Sequence, residues 1–270
     1  MCKESSQEIL SRFLNTSVSD GSEIFHTFSQ LPNAIYAEGT RSHQRYVFVP
    51  GKRRDAVVLV AHADTVWDKI YGETAQSEVV FHDGIFHSAV PICGIGADDR
   101  AGCAMLWALR NCGHSLLIVD GEEHGKSGAN FLRNNRKLFR KVNRHRFMIE
   151  LDWCGTNSCL YHQVDNSEAF KHYMENSLGL RDDKKGGGCD LQVLCRKICG
   201  VNVGVGYHNH HGPAEYLVLS EWENTLKKLE SFLEKRHPKF RIPLSKQISY
   251  YVKKIKVRLV KLSKKLKLRK

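Results

Sequence analysis

Long apolar runs are missing from this chain: no uninterrupted hydrophobic stretch in its 270 residues approaches the length needed to span a bilayer. Residues Met1 to Leu14 mix charged and apolar side chains and lack an apolar core followed by small residues, so no secretory signal is read and a cytoplasmic protein is expected. Paired C-x-x-C spacing is also absent, although there are nine cysteines. A disulfide scaffold is therefore not expected in a chain of this length. Cys189, Cys195 and Cys199 fall close together, but free cysteine packs as a small hydrophobe, and that reading is preferred to a metal cluster. No internal repeat is present. Hydrophobic residues at 41% and charged residues at 26% are ordinary for a globular chain and exclude disorder or a fibre.

Acidic residues are absent from Arg236 to Lys270, a stretch that holds 14 Lys or Arg. The formal charge of +12 therefore belongs to the tail, leaving 27 basic against 29 acidic residues in Met1 to Lys235. Within the tail, Ile248, Val252, Ile255, Leu259, Leu262 and Leu266 recur at steps of four and three, and lysines fill the other faces. This is the pattern of a cationic amphipathic helix, suited to an anionic membrane surface or a nucleic-acid backbone. Docking of the apolar stripe on the chain's own core is the alternative. Pro238 and Pro243 separate the tail from the body, giving two units, 1–237 and 238–270.

In the body, short β-branched runs alternate with segments of helical period, which predicts an α/β fold: a mostly parallel sheet with helices on both faces. Strands are expected at Arg45–Val49, Val57–Ala61, Leu116–Val119, Phe147–Leu151 and Val201–Val205. Helices are expected at Ser6–Leu14, Arg100–Asn111, Ser127–Arg136, Ser167–Asn176, Asp190–Ile198 and Glu221–Lys235. Ser220 and Glu223 have capping-box spacing at the start of the last helix. Asp83-Gly84 suggests a hairpin between Val79–His82 and Ile85–His87, and Gly186-Gly187-Gly188 a flexible loop.

Four of the five strands run into metal-ligand or acidic side chains. Val57–Ala61 leads to His62-Ala63-Asp64, Leu116–Val119 to Asp120-Gly121-Glu122-Glu123, Phe147–Leu151 to Asp152, and Val201–Val205 to His208, His210 and His211. In open α/β sheets the carboxyl ends of strands are where ligands bind. Singly, each such residue is a common turn former or solvated charge. An ordered set of His, Asp, Glu, Asp and His on successive strand ends has a simpler common cause in metal. On a strand, His62 and Asp64 share a side, so Asp64 can accept the second ring N–H of His62. Adjacent Glu122 and Glu123 point in different directions, freeing Glu122 as a proton carrier if Glu123 binds metal. Asp98-Asp99 follows a glycine-rich approach, Gly94-Ile95-Gly96, that lets backbone come close.

These motifs, AHADTVW, GIGADDRAGCAM, VDGEEHGKSG, IELDWCGTN and HHGPAEYL, run from Val57 to Leu219 and resemble the zinc exopeptidase superfamily of aminopeptidases, carboxypeptidases, peptidase T-like tripeptidases and amidohydrolases. The resemblance implies a three-layer catalytic domain holding two Zn²⁺, with Mn²⁺ or Co²⁺ as alternatives. One ion would be held by His62 and Asp152, the other by Glu123 and His211, and Asp98 would bridge them. It also implies a cis peptide at Asp98–Asp99, Glu122 as general base with Asp64 supporting His62, and His211 rather than His208 or His210 because His211 stands four residues before Glu215. The short intervals between motifs leave no room for the lid or dimerisation domains that many members carry. The implied substrate is a peptide or N-acyl amino acid, and Asp165, Glu168 and Arg181 are the charged groups nearest to hand for its terminus. Two readings stay open: a di-metal peptidase or deacylase with a localising tail, and an inactivated peptidase scaffold that binds through the tail.

Overall fold

The computed structural model describes residues 4–90, 92–184 and 186–249. In chain order the strands are β1 Ile35–Glu38, β2 Arg45–Val49, β3 Val58–His62, β4 Val79–His82, β5 Ile85–Ser88, β6 Ser115–Val119, β7 Met148–Trp153, β8 Ser158–Leu160, β9 Arg181–Asp182, β10 Gly200–Gly204, β11 Tyr207–His208 and β12 Tyr216–Val218. The helices are α1 Ser6–Leu14, α2 Ser22–Ser29, α3 Val66–Tyr71, α4 Ala97–Ala108, α5 Ser127–Asn134, α6 Arg136–Val142, α7 Glu168–Leu178, α8 Leu191–Leu194 and α9 Leu219–Leu233.

The main sheet has the order β1-β2-β6-β3-β7-β10-β8-β9, with β6, β3, β7 and β10 parallel and β1, β2 and β8 antiparallel to their neighbours. β3, β6 and β10 are buried along their whole lengths, which explains why their sequences are near-continuous apolar runs rather than alternating ones. Helix α4 packs on β3 and β7 beside α1 and α9, while α5 packs on β2 beside α6 and α8. Helices thus flank the sheet, as expected. β4 and β5 form the expected hairpin, with Phe81 opposite Phe86, and Asp83 and Gly84 both at positive φ (48° and 80°). The hairpin also joins a second sheet: β5 pairs with β12, and β12 with β11. Residues 79–88 are thereby tied to the segment that carries His211.

Three local expectations need correction. The capping box lies at α1, where Ser5 Oγ accepts the Glu8 N–H and Glu8 Oε2 accepts the Ser5 N–H at 2.7 Å. At α9 the helix starts at Leu219 directly after β12, so Ser220 is already inside it and caps nothing. The helix expected over Asp190–Ile198 ends at Leu194, because Asn143 Oδ1 accepts the N–H groups of both Arg196 and Lys197 (3.0 Å each) and draws the chain toward β10. The helix expected over Ser127–Arg136 stops at Asn134, and Asn135 caps a new one by accepting the Leu138 N–H.

At the C-terminal side, Phe240 packs among Phe147, Phe170 and Tyr173, and Ile242 is buried. Helix resumes at 244–249, with Leu244 and Ile248 exposed. The remainder of the amphipathic stretch, Val252 to Leu266, lies outside the described residues. Among those described, no helix is long and apolar enough to cross a membrane. The cysteines described there are all free, and none belongs to a potential metal-binding group.

Candidate active site

The parallel strands deliver their acids and histidines to one end of the sheet. His62 is the last residue of β3, and Asp152 lies near the end of β7. Glu122 and Glu123 follow β6, and His211 sits in the turn between β11 and β12 at φ 62°. Asp98 enters from the start of α4, where Asp98 and Asp99 depart from helical geometry and the peptide between them is cis.

Asp98 stands between the two imidazoles. One of its oxygens is 3.1 Å from His62 Nε2, and the other is 3.2 Å from His211 Nε2. Asp152 Oδ1 lies 3.4 Å from His62 Nε2, and Glu123 Oε1 lies 2.5 Å from His211 Nε2. Two sets of three potential metal ligands result, His62/Asp98/Asp152 and Asp98/Glu123/His211, sharing the Asp98 carboxylate. Of the other candidate histidines, His208 is paired with Glu221 at 2.8 Å, and His210 lies at the cavity wall against Tyr207.

The supporting residues are buried and fully engaged. Asp64 Oδ1 is 3.3 Å from His62 Nδ1, and the same carboxylate accepts the N–H groups of Glu122 and Glu123 at 3.0 Å each. It thus links the β3 and β6 ends as well as facing the His62 ring. Glu215 accepts the Gly96 and Asp98 N–H groups at 2.7 and 3.2 Å, holding the bridging loop against the His211 segment. Sequence reasoning missed Asn202 and Asp99. Asn202 accepts the Asp152 N–H at 2.9 Å and donates to Asp152 O at 2.7 Å, while Tyr207 Oη donates to Asp152 Oδ1. Asp99 accepts the His62 and Gly102 N–H groups. An Asn inside an otherwise apolar strand, Gly200–Gly204, was the available signal for the first.

Charge in the cavity is dominated by carboxylates. Hydrogen bonds to Asp98 and Glu123 push His211 up to about 10. Burial pulls His62 down, but Asp152, Asp64 and Asp98 together raise it well above the ordinary imidazole range. Burial, reinforced by Asp98, raises Asp152. Burial likewise raises Glu122, against the pull of His62 and of Lys126, whose Nζ is 3.0 Å from Glu122 Oε1. At both imidazoles the neighbouring carboxylates raise the affinity for positive charge.

The cavity, about 100 Å³, is also lined by Trp153, His162, Tyr207, His210, Gly187 and Gly188. The glycine run is therefore a cavity wall rather than a free loop: Gly187 O meets His162 Nδ1 at 2.8 Å, and a side chain on Gly186 would strike Leu160 and Trp153. Asp165, Glu168 and Arg181 do not reach the cavity. Asp165 faces Lys246, Glu168 pairs with Lys171, and Arg181 is exposed on β9. A further group of three potential ligands, His43, Asp68 and His124, lies outside the cavity, its two imidazoles stacked 3.7 Å apart.

No protein-family model and no curated relative matches the chain. Solved structures do match. An aminopeptidase PepT from Bacillus cereus aligns with a TM-score of 0.65 at 13% identity over 85% of this chain and 98% of that one. The chain shares its fold with this aminopeptidase. A tripeptidase from Staphylococcus aureus gives 0.62 at 14% identity, again over 85% and 98%. A Pyrococcus horikoshii TET1 peptidase, described as assembling into a tetrahedron or a large octahedral shell, gives 0.59 at 13% over the same shares. Between His62 and the Asp98 loop the described residues hold α3, a short 3-10 turn, the hairpin β4–β5 and connections.

Proposed function

We propose that the chain is a two-metal hydrolase of aminopeptidase type, releasing the N-terminal residue of short peptides. One observation carries the reading: a single carboxylate, Asp98, offers one oxygen to the His62/Asp152 pair and the other to the His211/Glu123 pair. The donor set fits two divalent cations. Three carboxylates and two imidazoles in mixed oxygen and nitrogen sets suit Zn²⁺, and Mn²⁺ or Co²⁺ are also compatible. The carboxylates that raise the proton affinity of His62 and His211 would equally favour bound cations. His62 and Asp152 would hold one ion, Glu123 and His211 the other, and Asp98 both. When bound, such a pair polarises a scissile carbonyl and acidifies water.

The chain's own residues do the rest. Glu122 belongs to neither ligand set, and its burial raises its proton affinity, which suits it to take a proton from water and pass it to the leaving amine. Lys126 anchors one of its oxygens. Asp64 fixes Glu122 and Glu123 relative to His62 through two backbone hydrogen bonds. The preference for an aminopeptidase over a carboxypeptidase or an N-acyl amino acid deacylase is taken from the aminopeptidase and tripeptidase whose fold the chain shares.

The test is a panel of free, N-blocked and C-blocked dipeptides, assayed with chelator and after restoring Zn²⁺. Cleavage of free and C-blocked substrates, lost with chelator and regained with zinc, is expected. Cleavage confined to N-acyl amino acids would make the chain a deacylase. No cleavage with any of Zn²⁺, Mn²⁺ or Co²⁺ would leave an inactivated scaffold.

A further inference from the structure

We infer that a cleft at the end of the sheet opposite the active site binds a multivalent phosphate anion. The metal-ligand candidates leave the C-terminal ends of β3 and β7; the cleft is built from the segments that enter the same two strands, Gly51–Ala56 and Lys141–Arg146, together with Lys239. It encloses about 320 Å³ and is lined by Arg53, Arg54, Lys141, Arg144, Arg146 and Lys239, with no Asp or Glu in its wall. Among the described residues only Arg53 of these six pairs with a carboxylate, Asp55 at 3.1 Å. Lys239 Nζ donates to the Arg144 carbonyl at 2.8 Å, which keeps the two side chains on the same rim.

Gathering like charges around a concavity is costly unless something neutralises them. The strain is visible at Lys239, which burial and the neighbouring Arg241, Arg146 and Arg144 push below the ordinary ammonium range. Next to the cleft a wider cavity of about 930 Å³ shares Lys141 and Arg144 and adds Arg136, Lys137 and Arg140. Four of the six cations in the first cleft are arginines, whose planar forks match phosphate oxygens two at a time. Ala56 is the one apolar side chain in its wall, so the fit is to an oxyanion and not to an acyl chain. A free oligophosphate and a phosphorylated lipid headgroup present the same chemistry. None of these residues lies in the proposed active site, so the inference holds or fails independently of the peptidase reading.

The experiment is calorimetric titration of the full-length chain with inorganic pyrophosphate at ionic strength fixed with NaCl, comparing the parent with Arg54→Glu/Arg144→Glu. Both side chains are exposed and make no side-chain hydrogen bond or ion pair with another described residue, so the variant is expected to melt, without anion, no lower than the parent. Chelation of active-site ions affects both proteins equally and cancels. A loss of affinity of at least about tenfold in the variant is expected. Equal affinity in the two proteins would assign the binding to the tail and overturn the inference, as would an effect that NaCl alone reproduces. If the double variant fails to fold, Arg144→Gln is titrated in its place, with a smaller loss expected and no loss overturning the cleft. Co-sedimentation with phosphatidic acid vesicles, competed by pyrophosphate, would identify a headgroup as the source; binding of pyrophosphate without vesicle capture would identify a free anion.

Discussion

Asp98 can face two imidazoles because each contact uses a different oxygen, and because Glu215 fixes its backbone from the far side of the loop. Removing the charge while keeping the shape separates its roles: Asp98→Asn is expected to lower metal content by both ions, read by elemental analysis. Glu122→Gln should retain both ions and lose roughly 10²–10⁴-fold in kcat, the usual worth of a positioned proton carrier. Retained turnover in that variant would refute the assignment. Asn202→Leu strips the Asp152 backbone of two buried hydrogen bonds and is expected to cost roughly 1–3 kcal/mol in denaturant unfolding. That His62, Asp98, Glu123, Asp152 and His211 come together was legible in the sequence because each sits at a strand end or in a glycine-flanked motif. Asn202 was not, since its partner lies 50 residues away on the neighbouring strand.

Among the elements, the buried parallel strands and the long amphipathic helices were the most legible, as their apolar periods are set by local sequence. β2 and α1 begin and end where expected. The missed pieces, β1, β8, β9, β11, β12, α2, α3 and α6, are short and owe their form to tertiary partners. β11 and β12 exist as strands because the hairpin β4–β5 offers an edge. Phe86, on the inner face of that hairpin and opposite Leu217, is 1% exposed. Phe86→Ala is expected to cost roughly 3–5 kcal/mol. Because the same small sheet frames the His211 turn, it should also weaken retention of the ion assigned to Glu123 and His211, measured by chelator titration. Helix α4 has an equally strict neighbour: a Cβ on Gly102 would strike Leu151 O and the Asp99 carboxylate.

For the whole molecule, charge and pH set the behaviour. His237 is buried beside Phe147 and Phe232, and burial, aided by nearby His114, pushes its pKa down to about 4 from 6.5. Between those two values the unfolded chain takes a proton that the folded chain refuses. This group's contribution is therefore fully present above 6.5, declines as pH falls toward 4, and levels off below it. His237→Gln is expected to flatten that part of the Tm-against-pH curve relative to the parent. The tail, read from the sequence as a localising unit at 238–270 of which Phe240 and Ile242 pack on the body, predicts that a chain ending at Pro243 loses salt-sensitive binding to anionic vesicles or nucleic acid. Unchanged binding would move that role to the basic cleft on the body. By itself the sequence determined which ligand types are present, their order along the chain, the parallel α/β layering and the segregation of positive charge into the tail, because each depends on residues close together in the chain. Only the tertiary structure decided that Asp98 lies between His62 and His211, that His208 turns away to Glu221, and that six cations share one cleft. Those distances are fixed by strand register and helix packing between segments that are not neighbours in the chain, 13 residues apart for His208 and Glu221 and 36 for His62 and Asp98, which no local pattern encodes.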